Sequence, residues 1–374
     1  MIKHQNITLN MIVKNEAHCI RTSLNTIHKY VDYYVVVDTG STDNTKKVIK
    51  EFFDERNISG EIHDRPWKNF GWNRTEAFQC AKGKGDYVWV FDADDEICGE
   101  LVLPEQLEKD MYSLCYKYNN NGNGTTESWW RPQLFNNILD WRYEGVLHEY
   151  VICEESKTYE RIEGNYHINP TFTGDRNQDG VNAKMTKDIA VLTEALQKEP
   201  DNLRYVFYLA QSYFTLQQYS KAMEWYDKRA KAGGWDEEVY VSLWRKALCH
   251  GELTGEIPFR FLIEAYEYRP QRFEAPFEII KSCRAQQKFH FAYALSKELF
   301  GKLPAVRDDL FIDASITDWR LQDELSICAY WVGNYAESKD LCFSLLAGNA
   351  LPYLEQDRVK TNLKFALDKL GNSG

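Results

Sequence analysis

Two aspartates in the segment Asp92-Ala93-Asp94 close the apolar run Tyr87-Val88-Trp89-Val90-Phe91. Side chains two residues apart point the same way in extended backbone. A pair of hard oxygen donors at the carboxyl end of a buried strand can hold Mg²⁺ or Mn²⁺ against a diphosphate. Asp95 and Glu96 deepen the negative field. The same acidic cluster also reads as a solvated loop or a helix start, so the segments upstream must decide. Asp38-Thr39-Gly40-Ser41-Thr42-Asp43 follows another apolar run and opens a helical pattern, which brings Asp38 to the same sheet edge. Its ligand-free reading is a turn with Gly40 at positive φ and Ser41 or Thr42 as helix cap.

The elements that must position these groups are legible as alternating short apolar runs and amphipathic segments, the pattern of a mostly parallel sheet covered by helices. Ile7 to Val13 predicts the first strand and Tyr33 to Val37 the second. Between them Ile20, Leu24 and Ile27 recur at helical spacing within Ala17 to Tyr30. Val48, Ile49, Phe52 and Phe53 form the apolar face of the next helix. A short strand near Ile62 and a helix from Asn73 to Ala81 lead into the strand that ends at Asp92. From Met111 to His167 the helical period gives way to alternation such as Tyr112, Leu114, Tyr116 and Tyr118, with a turn at Gly122 and Gly124. Trp129, Trp130, Trp141 and Tyr143 crowd this stretch, either as core or as stacking faces for a sugar ring.

Length and composition set limits. The 374 residues suffice for two domains, and 44% hydrophobic content gives each a core. A net charge of −11 disfavours a polyanionic partner, which argues against nucleic acid. Nine scattered cysteines without paired spacing read as free thiols of a reducing compartment, so a cytoplasmic location is expected. No stretch approaches a membrane-spanning length of apolar residues, and no secretory leader pattern opens the chain.

Past Gly180 the pattern is helical throughout. Leu209, Ala210, Tyr213, Tyr219, Ala222 and Tyr226 fit the small-and-aromatic spacing of a tetratricopeptide helix pair, and Tyr330, Gly333, Tyr335 and Ser338 repeat it. The alternative is an unrelated helical bundle. Trp225, Trp235, Trp244 and Trp331 read as packing between helices. The expected organisation is an α/β domain over residues 1–172, a linker over 173–182 and an all-α repeat-like domain over 183–374.

Met11-Ile12-Val13-Lys14-Asn15-Glu16, the Asp38 to Asp43 segment and Phe91 to Glu96, taken together, resemble glycosyltransferase family 2 with its GT-A fold. Trp67 to Arg74, Arg131-Pro132-Gln133-Leu134-Phe135 and Glu144 to Glu149 are similar to the branch that carries C-terminal tetratricopeptide repeats. The resemblance covers roughly residues 5 to 170. It implies transfer of a sugar from a nucleotide diphosphate donor, weighted towards a UDP-sugar, with inversion at the anomeric carbon. By this resemblance Asp38 contacts the base, Asn15 and Glu16 lie beside the nucleoside, and Arg74 faces the nucleotide or diphosphate. Asp92 falls near ribose and metal, and Asp94 is a direct ligand of Mn²⁺ or Mg²⁺. His167 occupies the place of a late histidine that completes the metal shell, against a plain structural role on its strand.

An inverting transfer needs a general base for the acceptor hydroxyl. The family's Glu-Asp pair has no clean counterpart here, which leaves Glu149 as the leading candidate, with His148 orienting it or acting itself, and Glu154-Glu155 in reserve. The ligand-free alternative is a structural His148/Glu149 pair. Acceptors compatible with this reading are a glycan, a lipid-linked sugar or a protein, and the helical domain is expected to serve self-association or a protein partner. Two rival readings stand beside it. A nucleotidyltransferase would want a glycine-rich loop after the first strand, where Val13-Lys14-Asn15-Glu16 has no glycine. A repeat scaffold with a non-catalytic transferase-like domain is the other.

Overall fold

The computed structural model describes residues 5–120, 125–174, 180–302 and 308–371. The turn expected at Gly122 and Gly124, and residues 175–179 of the expected linker, lie outside them. The chain divides into two compact units, Met1–Tyr118 with Trp129–Leu216, and Asn119–Ser128 with Gln217–Gly374.

In the first unit, β1 (Ile7–Val13), β2 (Tyr33–Asp38) and β3 (Ser59–Asp64) alternate with α1 (Ile20–Ile27), α2 (Thr45–Asp54) and α3 (Phe70–Ala81), and β4 (Tyr87–Val90) follows. β2 and β4 run parallel to β1 on either side, and β3 runs parallel to β2. The remaining strands are β5 (Asp95–Gly99), β6 (Met111–Asn120), β7 (Thr125–Asn136), β8 (Arg142–Glu144), β9 (Tyr150–Ile152), β10 (Tyr159–Arg161) and β11 (Tyr166–Pro170). The main sheet runs β3-β2-β1-β4-β7-β6-β11-β5, with β7 antiparallel to β4 and β5 antiparallel to β11.

Period two along the strands sorts the core onto both faces. Val36, Trp89, Leu9 and Met11 pack with Phe52 and Phe53 on one side, while Val35, Val88 and Val90 pack with Phe78 and Phe135 on the other. Burying Phe52 alone is worth about 1.5–3 kcal/mol. Asn10, buried in β1, is satisfied by the carbonyls of Val35 and Ala77, which ties β1 to both β2 and α3. Trp141 and Tyr143 belong to this core, and Trp129 packs against it, stacked on Tyr116.

α4 (Val181–Lys198) and α5 (Leu203–Thr215) pack on each other and belong by packing to the first unit. The second unit holds α6 (Tyr219–Ala232), α7 (Asp236–Thr254), α8 (Phe259–Tyr268), α9 (Glu274–Ala285), α10 (Phe289–Phe300), α11 (Leu321–Trp331), α12 (Tyr335–Ala347) and α13 (Tyr353–Gly371). Each packs on the next, and α9 with α11 and α11 with α13 also touch, which is the layered contact pattern of a repeat stack. No described helix is long and apolar enough to cross a membrane.

Candidate functional site at the carboxyl edge of the sheet

Asp38 ends β2, where its Oδ1 accepts hydrogen bonds from the amides of Gly40 at 2.9 Å and Ser41 at 2.7 Å. Gly40 has φ 113°, a conformation that suits glycine. Asn15, at φ 56°, locks the β1 loop to the same turn: its Oδ1 accepts from the Thr42 amide at 2.8 Å and its own amide donates to Ser41 Oγ at 2.9 Å. Ser41 and Thr42 are thereby used between loops and do not cap α2, which starts at Thr45 with Asn44 at its N-cap. Asp43 Oδ1 receives the Thr45 amide instead. The cap expectation fails because Asn15 competes for the same hydroxyl and amide. Asp38 Oδ2 is buried and has no hydrogen-bond partner.

Arg74 stands in the second turn of α3, which is capped by Asn69 Oδ1 receiving the Trp72 amide. The turn carrying Glu149 is drawn against the start of this helix. Gly71 N donates to the Gly145 carbonyl at 3.2 Å, and a Cβ at Gly71 would stand 2.4 Å from that oxygen. Arg74 Nε then donates to Glu149 Oε1 and Nη2 to Asp92 Oδ1, each at 2.6 Å, while Nη1 is buried and unpartnered. Arg131 Nη1, from β7, holds the other oxygen of Asp92 at 2.6 Å. Burial alone would raise the Asp92 carboxyl, but the two guanidiniums outweigh it and hold it well below the usual range.

Asp94 is different. Its Oδ2 accepts the Gly174 amide at 3.0 Å, and burial, reinforced by Asp92, holds its carboxyl above the usual range despite that amide. Thr171 donates its amide and hydroxyl to the Asp94 carbonyl, so the segment after β11 folds over the aspartate. Asp95 turns inward, where its Oδ2 accepts from the Tyr116 hydroxyl at 2.6 Å, and burial followed by the charge on Asp92 pushes it well up. Gln133 Nε2 donates to the same hydroxyl and Trp89 Nε1 donates to Gln133 Oε1.

The structure thus brings Arg74, Asp92 and Glu149 into direct contact, places Asp94 beside them in sequence, and sets Asn15 and Asp38 in one turn. Glu16 donates its amide to Thr45 Oγ1 and receives the Cys19 thiol. His167 goes elsewhere. On β11 it pairs with Cys98, three residues from the Pro170 that faces Asp95, or about 10 Å along the strand. Burial and the Lys117 ammonium hold its imidazole below the usual range. His148, at φ 52°, stacks its ring on Tyr208 at 3.7 Å. Glu154 pairs with Arg142 at an exposed position. Arg131 and Tyr116 complete the buried network, although the sequence reading gives neither a role. The available signal was a lone arginine on an otherwise half-buried strand two residues before Gln133. Trp67, just before α3, and Trp72, in its first turn, are 43% and 48% exposed.

Residues 8–162 match the model of Glycosyl transferase family 2. A TPR repeat-containing protein of Synechococcus elongatus is 28% identical over 149 residues, which is 39% of this chain and 35% of that protein. The SPbeta prophage-derived glycosyltransferase SunS of Bacillus subtilis is 24% identical over 232 residues, 59% of this chain and 52% of its own length. The chain therefore spans between about a third and a half of these curated relatives. Among solved structures, S. aureus TarS 1–349 in complex with UDP-GlcNAc superposes with TM-score 0.36 at 14% identity, over 72% of this chain and 93% of that one. MamA gives TM-score 0.33 at 12% identity over 53% and 95%.

Proposed function

We propose that this protein is a glycosyltransferase that moves a sugar from a nucleotide diphosphate donor, with UDP-sugar as the leading class, to a glycan, lipid-linked or protein acceptor. One observation carries the reading: two buried polar atoms without partners, Asp38 Oδ2 at the end of β2 and Arg74 Nη1 near the start of α3, at the same edge of the sheet. Leaving such groups unsatisfied costs about 1–3 kcal/mol each. An acceptor oxygen on one and a donor N–H on the other suit a ligand with a nucleobase N–H or ribose hydroxyl and a phosphate oxygen.

The residues present fit a divalent cation at Asp94 better than at Asp92. Both Asp92 oxygens are taken by guanidiniums, whereas the half-buried Asp94 accepts one backbone amide, so a cation would offset the cost of its charge. Bound with the diphosphate, Mn²⁺ or Mg²⁺ would neutralise charge on the leaving group. Asp92 sets the guanidinium plane of Arg74 so that Nη1 meets a diphosphate oxygen. Glu149, its Oε1 held by Arg74, offers Oε2 to the acceptor hydroxyl during in-line attack. His148 is engaged with Tyr208, and we assign it the positioning of Glu149. His167 is left out of the metal shell because of its distance along β11.

The test is release of nucleoside diphosphate by the purified protein from a nucleotide-sugar panel, with Mn²⁺, Mg²⁺ or chelator. Metal-dependent release from one donor is expected, and Asp94→Ala should abolish both it and metal-dependent UDP binding by calorimetry. Silence across the panel with no UDP binding would favour the scaffold reading.

A further inference from the structure

The turn that leads into α1 carries three different kinds of metal ligand. Glu16, His18 and Cys19 each bring a ligand atom, and the three lie within 4.8 Å of one another. Cys19 Sγ donates to Glu16 Oε2 at 3.2 Å. His18 Nε2 stands 2.7 Å from the Thr173 carbonyl oxygen. When Nε2 carries the proton and donates to that oxygen, Nδ1 keeps the lone pair, which is the outer-shell arrangement that orients metal-binding imidazoles. A cavity of about 270 Å³ borders the group, lined by His18, Cys19, Asp94, Glu96, Thr171 and Thr173 among others. Gly174 keeps the neighbouring space clear: a Cβ there would stand 3.3 Å from Glu16 Oε1 and 3.1 Å from Asp94 Oδ2.

The donor types decide the ion. A thiolate and an imidazole with one carboxylate select borderline-soft cations, while Mg²⁺ wants oxygen alone. We propose that Glu16, His18 and Cys19 form a site for a zinc-class divalent cation, distinct from the hard-metal position at Asp94. Binding forms a metal–sulfur bond and releases the Cys19 thiol proton to solvent. Asp94 and Glu96 on the cavity wall add a field that favours the cation. Through His18 and Thr173, the ion would also tether the segment that folds over Asp94.

The experiment is titration of the full chain with Co²⁺ at neutral pH, read by absorption. The expected result is a near-ultraviolet thiolate-to-cobalt charge-transfer band that saturates at one equivalent and is lost in Cys19→Ser. His18→Ala, at an exposed position, should retain the fold by circular dichroism and weaken binding about tenfold or more. Asp94→Ala should keep the band. No band in the wild type, or a band unchanged in both Cys19→Ser and His18→Ala, overturns the site. Loss of the band in folded Asp94→Ala overturns its independence and makes the ion part of the donor site. None of these readings depends on turnover, so failure here is separable from failure of the transferase assignment.

Discussion

Asp92 and Asp94 are chemically unlike, although sequence presents them as a pair. Asp92 is neutralised by Arg74 and Arg131 and acts as a fixed strut, while the Asp94 carboxylate accepts the Gly174 amide and has neither guanidinium. Glu149 stands between these cases, held on one oxygen with a side chain 10% exposed. Glu149→Gln preserves size and can still accept from Arg74, so donor binding should persist. Turnover should fall about 10²-fold or more, as removal of a general base does. Retained kcat, measured as acceptor-dependent transfer on the identified donor, would place the base on another residue.

At the scale of elements, the turn bearing Glu149 is fixed from two sides. α3 holds it through Gly71 and Arg74. α5 holds it through Arg204 Nε, which donates to the His148 carbonyl at 2.6 Å, and through the Tyr205 hydroxyl, which receives the Val146 amide at 3.1 Å. The Arg204 guanidinium also lies over the Tyr208 and Tyr150 rings at 5.0 and 5.3 Å. A helix that sequence assigns to the repeat array is thus part of the scaffold of the candidate site. Arg204→Met should therefore lower kcat with little change in UDP affinity, because Asp38, Arg74 and Asp94 stay in place. Equal loss of both would mean that α5 supports the whole edge and not this turn. Tyr205→Phe leaves the Val146 amide without its partner and should cost about 1 kcal/mol in denaturant unfolding.

At the scale of the molecule, both units bury charge as well as apolar surface. The first is organised by a sheet with apolar side chains on both faces. The second includes buried charge: Arg272, fully buried, donates to Glu274 and Asp308, and Arg269 donates to Asp308 at 2.6 and 2.7 Å. Burial would raise the Asp308 carboxyl, but the two guanidiniums outweigh it and lower it. Since the folded value lies below the unfolded one, the stability from this group is full above the ordinary carboxyl range. It is lost as pH falls through the folded value. Asp308→Asn should cost about 3 kcal/mol at neutral pH, by breaking a buried pair, and should flatten the acid limb of the stability curve. An unchanged acid limb would show that other carboxylates control acid unfolding.

Sequence alone determined the elements whose periodicity is local. Ile7–Val13 and the strand before Asp92 show as apolar runs, and Phe52 and Phe53 mark a helix face because each is one turn from its partners. It also placed Asp38, Asp92 and Asp94 at or just past strand ends, because each follows an apolar run that reads as a buried strand. Tertiary structure decided which charges meet. Arg131 lies 39 residues from Asp92 and Glu149 lies 75 from Arg74, and their pairing depends on β7 lying against β4 and on the close approach of Gly71 and Gly145. It also drew α4 and α5 to the sheet unit, because Tyr205 and Tyr208 bury against a turn that no spacing along the helix reveals. Periodicity reports which face of an element is covered. The partner that covers it is a property of the folded chain.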